Sequence, residues 1–422
     1  MKKLFLIIFL LCFKILFAGE VVMLDNGGKF VTIERGYTDT ITISMFIKGG
    51  LFRETSEDNG IGNLFSDVWV KSSKLLDKVE FYGGSIGASV TNDYLEFSLS
   101  VPYENLSLVF EELDEFINSP NFDIKIFNVE KELILKSIES IKDNPNSLAM
   151  KGFNRLSYEG FTYSMDSLGT TESVGKLNID DVKKYYEKNI VASDMVVSVA
   201  GKFNGQDVKK IKKIFTKLPK GEKITIDCSA SKINEDRFME ETDDKIQQAK
   251  LFIGFDAPNA LSSQYISLKI LSDLMGGGMS SVYFEKLRKE KGYAYSVGAF
   301  YPSRICNSRW VGFIGLDYSN VKDSIDTMKN LLGQVNDIVD NEKLESVKNY
   351  VIGRILNESQ TNSKVAWYSS FFETVGLGYD FMDKYIDLLR SVSKNDILKA
   401  ADTLLKSHTA TYILKPKGSV KK

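Results

Sequence analysis

The stretch GGLFRETSEDNGIGNLFSD, residues 49–67, is the part of the sequence on which the predicted fold and candidate site depend most. Two glycine-marked turns enclose the charged pair Arg53-Glu54, and positions 63–67 follow the second turn. Another glycine-marked stretch, GGSIGASVTND, covers residues 83–93. Each motif alone is a weak signal for any particular fold. The order and the spacing of the motifs together are a specific signal.

Around this stretch, strands and helices follow one another in an order that the chain uses twice. The first half, residues 20–201, runs strands, helix, strand, several helices and a final strand at 195–200. The second half repeats that order, with predicted helices at 263–275 and 321–335 and predicted strands at 251–255, 295–301, 310–317 and 410–414. Because consecutive strands are joined by turns too short for crossover helices, we predict an α+β fold with mostly antiparallel sheets.

Two polar stretches separate the halves. Residues 219–223 and 229–244 are poor in periodic apolar residues and are predicted to connect two domains. The predicted organisation is a signal peptide at 1–18, an N-terminal domain at 19–225, a linker at 226–245 and a C-terminal domain at 246–422. Each half then has the size of an ordinary domain.

The N-terminus has the three regions of a secretory signal peptide. Lys2 and Lys3 precede an apolar run at 4–17, and small residues follow at Ala18-Gly19. We expect cleavage near Ala18 and export of the mature chain to the periplasm; a retained N-terminal anchor is the alternative. No later stretch approaches the roughly 20 apolar residues that a membrane span needs.

Charge, histidine and cysteine content narrow the chemistry. The chain has 54 basic and 56 acidic residues, and the basic residues occur in short mixed runs, so nucleic acid is not an expected partner. The single histidine, His408, is predicted to lie in a solvated loop. A Ser-His-Asp arrangement needs a histidine beside its nucleophile, and a catalytic zinc usually takes three protein ligands. Histidine chemistry is therefore nearly excluded, while Cys228 and Cys306 allow one disulfide in the mature chain.

The glycine-marked stretches resemble the pitrilysin/insulinase family of zinc peptidases, in its two-domain branch that is similar to the mitochondrial processing peptidase. Residues 158–169, Val199-Ala200-Gly201 and residues 276–297 agree with the same pattern, so the resemblance covers essentially the whole mature chain. It implies two similar domains, each a mostly antiparallel sheet covered by helices, which together form half of a clamshell.

The resemblance also locates the family's zinc site, and this chain departs from it at the ligands and at the base. The family's inverted motif, H-x-x-E-H, supplies two zinc ligands and a general base from one helix. The matching positions here are Asn63, Ser66 and Asp67, and the third ligand, a glutamate on a later helix, is replaced by Ser137. We therefore expect no metal and no cofactor in this chain, and we interpret Asn63, Ser66 and Asp67 as polar helix positions.

The second half keeps residues that the family uses next to the metal. FEKLRKEKGYAYS, residues 284–296, predicts the end of a helix, a left-handed stop at Gly292 and a following strand. The resemblance implies that Arg288 and Tyr295 reach substrate carbonyls near a zinc ion, where both are suitable hydrogen-bond donors. Without the resemblance, an ion-paired arginine and a core tyrosine would be the simpler interpretation.

The glycines Gly276, Gly277 and Gly278 precede that helix and resemble the family's glycine-rich cleft loop. Bare backbone at such a loop allows an extended peptide to approach closely. A plain turn at a helix end is an alternative interpretation. A phosphate loop is disfavoured because no Gly-Lys-Ser or Gly-Lys-Thr follows.

These observations predict a non-catalytic subunit of a heterodimeric zinc metallopeptidase that acts on peptides or unfolded polypeptides. A homologous partner would supply the zinc, and this chain would supply Arg288 and Tyr295. The alternative is a peptide-binding or scaffold protein of the same fold with no peptidase role. A hydrolase that uses Ser66 is a weaker possibility, since no suitable base accompanies it.

Overall fold

A computed structural model describes residues 19–419 of the chain. The predicted signal peptide, residues 1–18, lies outside these residues. Within residues 19–419, no helix combines the length and the apolar character that a membrane span requires.

Strands and helices follow one another in the order that the sequence predicts. The strands are β1 (Gly19–Met23), β2 (Lys29–Glu34), β3 (Thr40–Lys48), β4 (Ser85–Val90), β5 (Tyr94–Pro102), β6 (Met195–Gly201), β7 (Arg237–Asp243), β8 (Ala249–Ala257), β9 (Ala294–Phe300), β10 (Ser308–Leu316) and β11 (Thr409–Pro416). The α-helices are α1 (Ile61–Lys71), α2 (Lys74–Phe81), α3 (Phe110–Asn118), α4 (Ile124–Ser140), α5 (Pro145–Ser157), α6 (Thr171–Lys176), α7 (Ile179–Asn189), α8 (Gly205–Thr216), α9 (Tyr265–Gly276), α10 (Val321–Gly333), α11 (Val335–Ile338), α12 (Asn341–Glu358), α13 (Asn362–Val375), α14 (Phe381–Ser391) and α15 (Lys394–Leu405). A π-helix, Phe284–Glu290, lies between α9 and β9.

The strands form two sheets that share one topology. The first sheet has the order β1-β2-β6-β3-β5-β4, and the second has the order β7-β11-β8-β10-β9. The pairs β2–β6 and β7–β11 are parallel, and the remaining pairs are antiparallel. The predicted α+β class is confirmed, and the duplication is visible in the strand order.

The described chain divides into two compact units that exchange segments of sequence. The first unit contains residues 19–134, 172–225 and 356–387, and the second contains 135–171, 226–355 and 388–419. One segment of the first unit ends at residue 225, and the predicted domain bounds stay a prediction. Each unit also includes one segment from the other half of the sequence, which the linear order of predicted domains does not contain.

In the first unit, strand β3 requires covering on both of its faces. Its residues 41–47 are all buried, whereas a strand covered on one face would alternate between buried and exposed side chains. Helix α13 packs across β3 and β6, where Ser370 Oγ donates to Ser198 Oγ at 2.9 Å. The rings of Trp367 and Phe371 on this helix stack at 4.7 Å. The first sheet is thus completed by a helix that lies about 160 residues later than β6 in the sequence.

In the second unit, helix α5 covers the second sheet in a similar way. Phe153 of α5 joins a buried cluster with Phe252 and Tyr412, and the rings of Phe153 and Phe252 stack at 5.6 Å. Gly152 of the same helix faces Tyr412, which is fully buried. Close approach of the helix to β11 depends on the missing side chain at this glycine.

A buried arginine fixes the end of α5 within the second unit. The guanidinium of Arg309 is 1% exposed and donates to the carbonyl oxygens of Ser157 and Ser231 at 2.6 and 2.8 Å. It also pairs with Asp256 at 2.7 Å and lies 4.1 Å from the ring of Tyr158. Because removing one partner of a buried ion pair costs about 3–5 kcal/mol, this network holds α5, β8 and β10 in one arrangement.

The predicted linker, residues 226–245, contains ordered structure. Strand β7 lies within it and pairs with β11 at the edge of the second sheet. Edge strands keep many side chains in contact with solvent, which explains why β7 is too polar to be recognised from its sequence. Cys228, also in this segment, forms a disulfide with Cys306 across a separation of 78 residues.

Replacement of two glycines by alanine should change the free energy of unfolding in opposite directions, because only one of them lies where α5 approaches β11. A Cβ atom at Gly152 would lie 2.2 Å from the Tyr412 ring, so Gly152→Ala should lower the free energy of unfolding by about 1–3 kcal/mol through overpacking. Gly353 lies inside α12 with no neighbour within 4 Å of such a Cβ. Gly353→Ala should instead raise the free energy of unfolding by up to about 1 kcal/mol, because alanine favours helix. Urea unfolding of both variants tests this packing, and equal effects of the same sign would contradict it.

Candidate functional site

Helix α1 begins at a buried carboxylate that accepts three hydrogen bonds. Glu54 is 8% exposed. Its Oε2 accepts from Asn59 Nδ2 at 2.9 Å and from Gly60 N at 2.8 Å, and its Oε1 accepts from Gly62 N at 3.1 Å. Backbone N–H groups of a helix start lack partners within the helix, so an acceptor at this position stabilises the start of α1.

Burial makes Glu54 an unusual acid. Removal from water raises the pKa of its carboxyl group to about 7, although the hydrogen bonds from Gly60, Asn59 and Gly62 favour the ionised form. The neighbouring Asp58 adds to the upward shift. Glu54 therefore changes its protonation near neutral pH at the start of the helix that carries positions 63–67.

The neighbouring Arg53 has a purely structural environment. Its Nε donates to the carbonyl oxygen of Lys48 at 2.8 Å, and its Nη2 pairs with Asp194 at 2.8 Å. The side chains of Arg53 and Asp194 are 7% and 0% exposed. Arg53 and Glu54 therefore serve to hold the glycine-marked stretch in place.

The three positions on α1 that the resemblance matches to the zinc motif have different environments. Asn63 is half-buried. Ser66 is buried, and its Oγ donates to the carbonyl oxygen of Gly62 at 2.8 Å, one turn back in the helix. This bond occupies the hydroxyl in the manner usual for a helical serine. Asp67 is also half-buried, and burial raises the pKa of its carboxyl group above the ordinary range.

A lysine lies between the two carboxylates in this part of the first unit. Lys71 Nζ is 2.6 Å from Glu130 Oε2 and 3.9 Å from Asp67 Oδ1. Glu130 on α4 is 5% exposed, so its charge requires a partner, and the ammonium group of Lys71 provides one. Lys71 lowers the pKa of Asp67, while Glu130 opposes that effect.

These residues do not fit a zinc ion. Catalytic zinc takes three histidine, carboxylate or thiolate ligands, but α1 offers Asp67 alone, and Lys71 already neutralises the nearby Glu130. In the part of the chain that the structure describes, no three His, Cys, Asp or Glu side chains gather as a metal site. Ser137, which the resemblance matches to the third ligand, is exposed on α4 in a segment that belongs to the second unit.

In the second unit, Arg288 and Tyr295 come together at the predicted corner between a helix and a strand. Arg288 Nη1 donates to the carbonyl oxygen of Tyr295 at 3.0 Å. Its guanidinium lies 5.1 Å from the ring centroid of Phe284. Both Arg288 and Tyr295 are exposed, with Tyr295 at 62%. The phenol is thus not part of the core, and the remaining guanidinium donors of Arg288 face solvent.

The helix that leads into the corner is wider than the sequence predicts. Residues Phe284–Glu290 form a π-helix rather than the expected α-helix, with Lys291 N donating to the carbonyl oxygen of Lys286 at 3.1 Å. Gly292 has the predicted left-handed conformation, with φ at 68°. Since π-helical turns are rare and occur frequently at functional sites, this geometry is consistent with a functional role of the corner.

The three glycines of the loop after α9 have different roles. A Cβ atom at Gly276 would lie 1.8 Å from the backbone nitrogen of Ala299, so this glycine is required by packing against β9. Gly277 closes α9, and its N donates to the carbonyl oxygen of Asp273 at 2.8 Å. Gly278 faces open space. Substrate binding stays a prediction for all three, and packing already accounts for Gly276.

The sequence analysis did not predict which side chains carry buried charge in the first unit, or which side chains pair with them. Glu54 lies inside the quoted stretch, but its burial is not visible in the residue order. The i,i+4 spacing of Asp67 and Lys71 was a usable signal for an ion pair. The stronger contact of Lys71 is with Glu130, 59 residues away, and no local pattern indicates it.

Comparison with known proteins finds two matching family descriptions, similar relatives and a similar solved structure. The description "Insulinase (Peptidase family M16)" matches residues 29–170, and "Peptidase M16 inactive domain" matches residues 176–351. An "Uncharacterized zinc protease" of Rickettsia bellii is 22% identical over 411 residues, covering 94% of this chain and 97% of the relative. The "Non-peptidase homolog YmxG" of Helicobacter pylori is 22% identical over 388 residues, covering 87% of this chain and 86% of the relative. A protease structure from Helicobacter pylori has a TM-score of 0.85 at 20% identity and covers 95% of this chain and 100% of that chain.

The environment of Glu54 predicts how stability depends on pH. Because the folded-state pKa of about 7 lies above the ordinary 4.5, the folded chain binds this proton more tightly than the unfolded chain does. The contribution is full below about pH 4.5 and is lost as pH rises through about 7, amounting to about 3 kcal/mol of unfolding free energy. Glu54→Gln removes the titration, so this part of the slope between about pH 5 and pH 8 should disappear in urea unfolding curves.

The matched control for this prediction is Glu57→Gln, which changes an exposed carboxylate in the same loop. The pH slope of this variant should still contain the contribution of Glu54. An unchanged slope in Glu54→Gln would show that Glu54 does not hold a proton near neutral pH.

Proposed function

The chain belongs to the insulinase family, peptidase family M16, and we propose that it acts there as a non-catalytic subunit of a heterodimeric zinc metallopeptidase. A homologous partner carries the zinc ion and the general base. This chain contributes Arg288 and Tyr295 to the partner's site, and the complex acts on extended peptides or unfolded polypeptides.

The observation that carries the proposal is the contrast between helix α1 and the corner at Arg288. Helix α1 holds Asn63, Ser66 and Asp67 where the family holds its ligands and base, and its local charges are satisfied internally. The corner instead exposes a guanidinium and a phenol, the two donors that the family resemblance matches to substrate contacts. A chain that had lost every functional constraint would have no reason to keep only the second set.

The chemistry of the corner suits assistance at another subunit's metal. A guanidinium and a phenol both donate hydrogen bonds, and donors directed at a carbonyl stabilise the negative charge that develops on its oxygen during hydrolysis. Neither group can activate water at neutral pH as a histidine or glutamate can. Arg288 and Tyr295 are therefore suited to position substrate and stabilise charge, and the base has to come from elsewhere.

An independent hydrolase based on Ser66 is disfavoured by the environment of that residue. Its hydroxyl is 1% exposed and donates to the Gly62 carbonyl oxygen. Activation of a serine requires a base within hydrogen-bond reach, but the Ser66 hydroxyl donates to a backbone carbonyl oxygen instead.

Export to the periplasm remains part of the proposal. The signal-like segment at 1–18 motivates it, and the disulfide between Cys228 and Cys306 agrees with an oxidising compartment. The proposed partner is accordingly an exported protein as well.

The proposal predicts separate effects on activity and on assembly. In the reconstituted pair, Arg288→Ala and Tyr295→Phe should each lower peptide turnover by about 10²–10³, the usual cost of removing one donor to a developing oxyanion. Both side chains are exposed, so the thermal stability of the chain and its binding to the partner should change little. Peptidase rates and pair formation are measured in the same preparation.

Two other exposed residues of the second unit provide the controls. Lys289→Ala removes the adjacent cation, and Tyr350→Phe removes a phenol from a tyrosine that is 56% exposed. Neither should affect turnover by more than a few-fold. Full activity after loss of both Arg288 and Tyr295 donors would refute the assignment and favour a scaffold role.

A further inference from the structure

A lysine-rich face covers one side of the first unit, on α8 and the segment after it. Residues 202–223 contain eight lysines and two carboxylates, Asp207 and Glu222, in a chain whose net charge is −2. Helix α8 buries Ile211, Ile214 and Phe215 in the core. Its other side presents lysine to solvent, which creates a strong local positive charge on an otherwise slightly acidic protein.

Some of these lysines form ion pairs with carboxylates of the protein, and others do not. Lys202 pairs with Asp39 at 2.7 Å, and Lys217 pairs with Asp114 at 2.5 Å. For residues 19–419, no carboxylate lies within ion-pair distance of five exposed lysines, which we call the α8 lysine face: Lys209, Lys210, Lys213, Lys220 and Lys223.

The ammonium groups of two lysines on α8 lie over aromatic rings. Lys210 Nζ lies 5.1 Å from the ring centroid of Phe110, and Lys212 Nζ lies 5.3 Å from that of Phe30. Such contacts restrict where a long side chain can move while its charged end stays in water. The acidic helix α3, whose Asp114 pairs with Lys217, bounds the α8 lysine face on one side.

We propose that the α8 lysine face binds the surface of an anionic lipid membrane. A helix with lysines on its polar side is typical of a membrane-surface contact, and clusters of four to eight basic residues are the usual size for recognition of anionic lipid. Because the apolar side of α8 is already buried in the protein, the contact is electrostatic and involves no insertion into the bilayer.

The composition of the face favours lipid over an acidic protein. Stable protein interfaces are built around apolar and aromatic anchors, and lysine is depleted at their centres. Residues 203–223 include no exposed large apolar side chain and no arginine. Mobile lipid headgroups at high density can pair with lysines without shape complementarity, so this surface suits a membrane better.

The same composition argues against a nucleic acid. Single-stranded nucleic acid needs aromatic or arginine side chains on which bases stack, and base-specific contacts to a duplex rely mainly on arginine, asparagine and glutamine. Residues 202–223 contain no arginine, their aromatic residues Phe203 and Phe215 are half-buried and buried, and only Asn204 and Gln206 at the start of α8 could contact base edges. Comparison with duplex DNA nevertheless belongs in the test, because any polyanion attracts lysine.

The test is co-sedimentation of the chain beginning at Gly19 with vesicles of two compositions. This starting point removes the apolar segment at 4–17, which would bind any bilayer. Binding is expected to vesicles of equal parts phosphatidylglycerol and phosphatidylcholine, but not to phosphatidylcholine alone. Raising salt from about 0.1 M to about 1 M shortens the screening length from roughly 10 Å to roughly 3 Å and should abolish it.

Charge reversal identifies the surface responsible. Lys209→Glu combined with Lys213→Glu should weaken binding to the anionic vesicles by at least about 30-fold, since each lysine near such a surface contributes roughly five-fold. Lys125→Glu combined with Lys188→Glu makes the same change in net charge at two exposed lysines outside the face, and it should keep most of the binding. If the first variant fails to fold, Lys220→Gln with Lys223→Gln tests the same face outside the helix.

Several outcomes would overturn the proposal. These are no binding to anionic vesicles at low salt, equal binding to phosphatidylcholine, equal loss in both charge-reversed variants, or tighter binding to duplex DNA than to the vesicles at the same salt concentration.

Discussion

Both sheets of this protein have central strands that must be covered on both faces, and the rest of the fold follows from that requirement. Strand β3 is buried along its whole middle, and the layer that completes it is α13, from the other end of the sequence. The second sheet has the corresponding arrangement with α5. Each compact unit therefore consists of separate segments, and neither half of the sequence contains all the apolar surface that its own sheet needs.

The polar side chains around α1 and those at the corner of Arg288 are in opposite situations. In the first unit, charges around α1 are satisfied locally, because backbone N–H groups hold Glu54 and the ammonium group of Lys71 holds Glu130. Buried charge with a partner is part of the scaffold and needs no ligand. In the second unit, Arg288 and Tyr295 remain exposed at a π-helical corner. The exposed donor groups of Arg288 and Tyr295 therefore belong to the second unit, whereas positions 63–67 belong to the first.

The sequence predicted those features that depend on local pattern. Strand β6, the hairpin of β9 and β10, and helices α9 and α10 lie within a few residues of their predicted bounds, because their apolar periodicity is strong. The altered motif and the corner at Arg288 were also recognisable as short ordered motifs. Features that depend on distant contacts were not predictable in this way. They include the exchange of α5 and α13, the edge strand β7 and the pairing of Lys71 with Glu130.

The most direct test is to purify the tagged chain from its native host and to measure zinc in the chain alone and in any complex that it forms. The account predicts that the chain by itself holds no stoichiometric zinc, and that the complex contains a second member of the same family with an intact H-x-x-E-H motif and about one zinc ion per pair. A chain that purifies without such a partner, or that by itself binds one zinc ion tightly and cleaves peptides, would contradict the account.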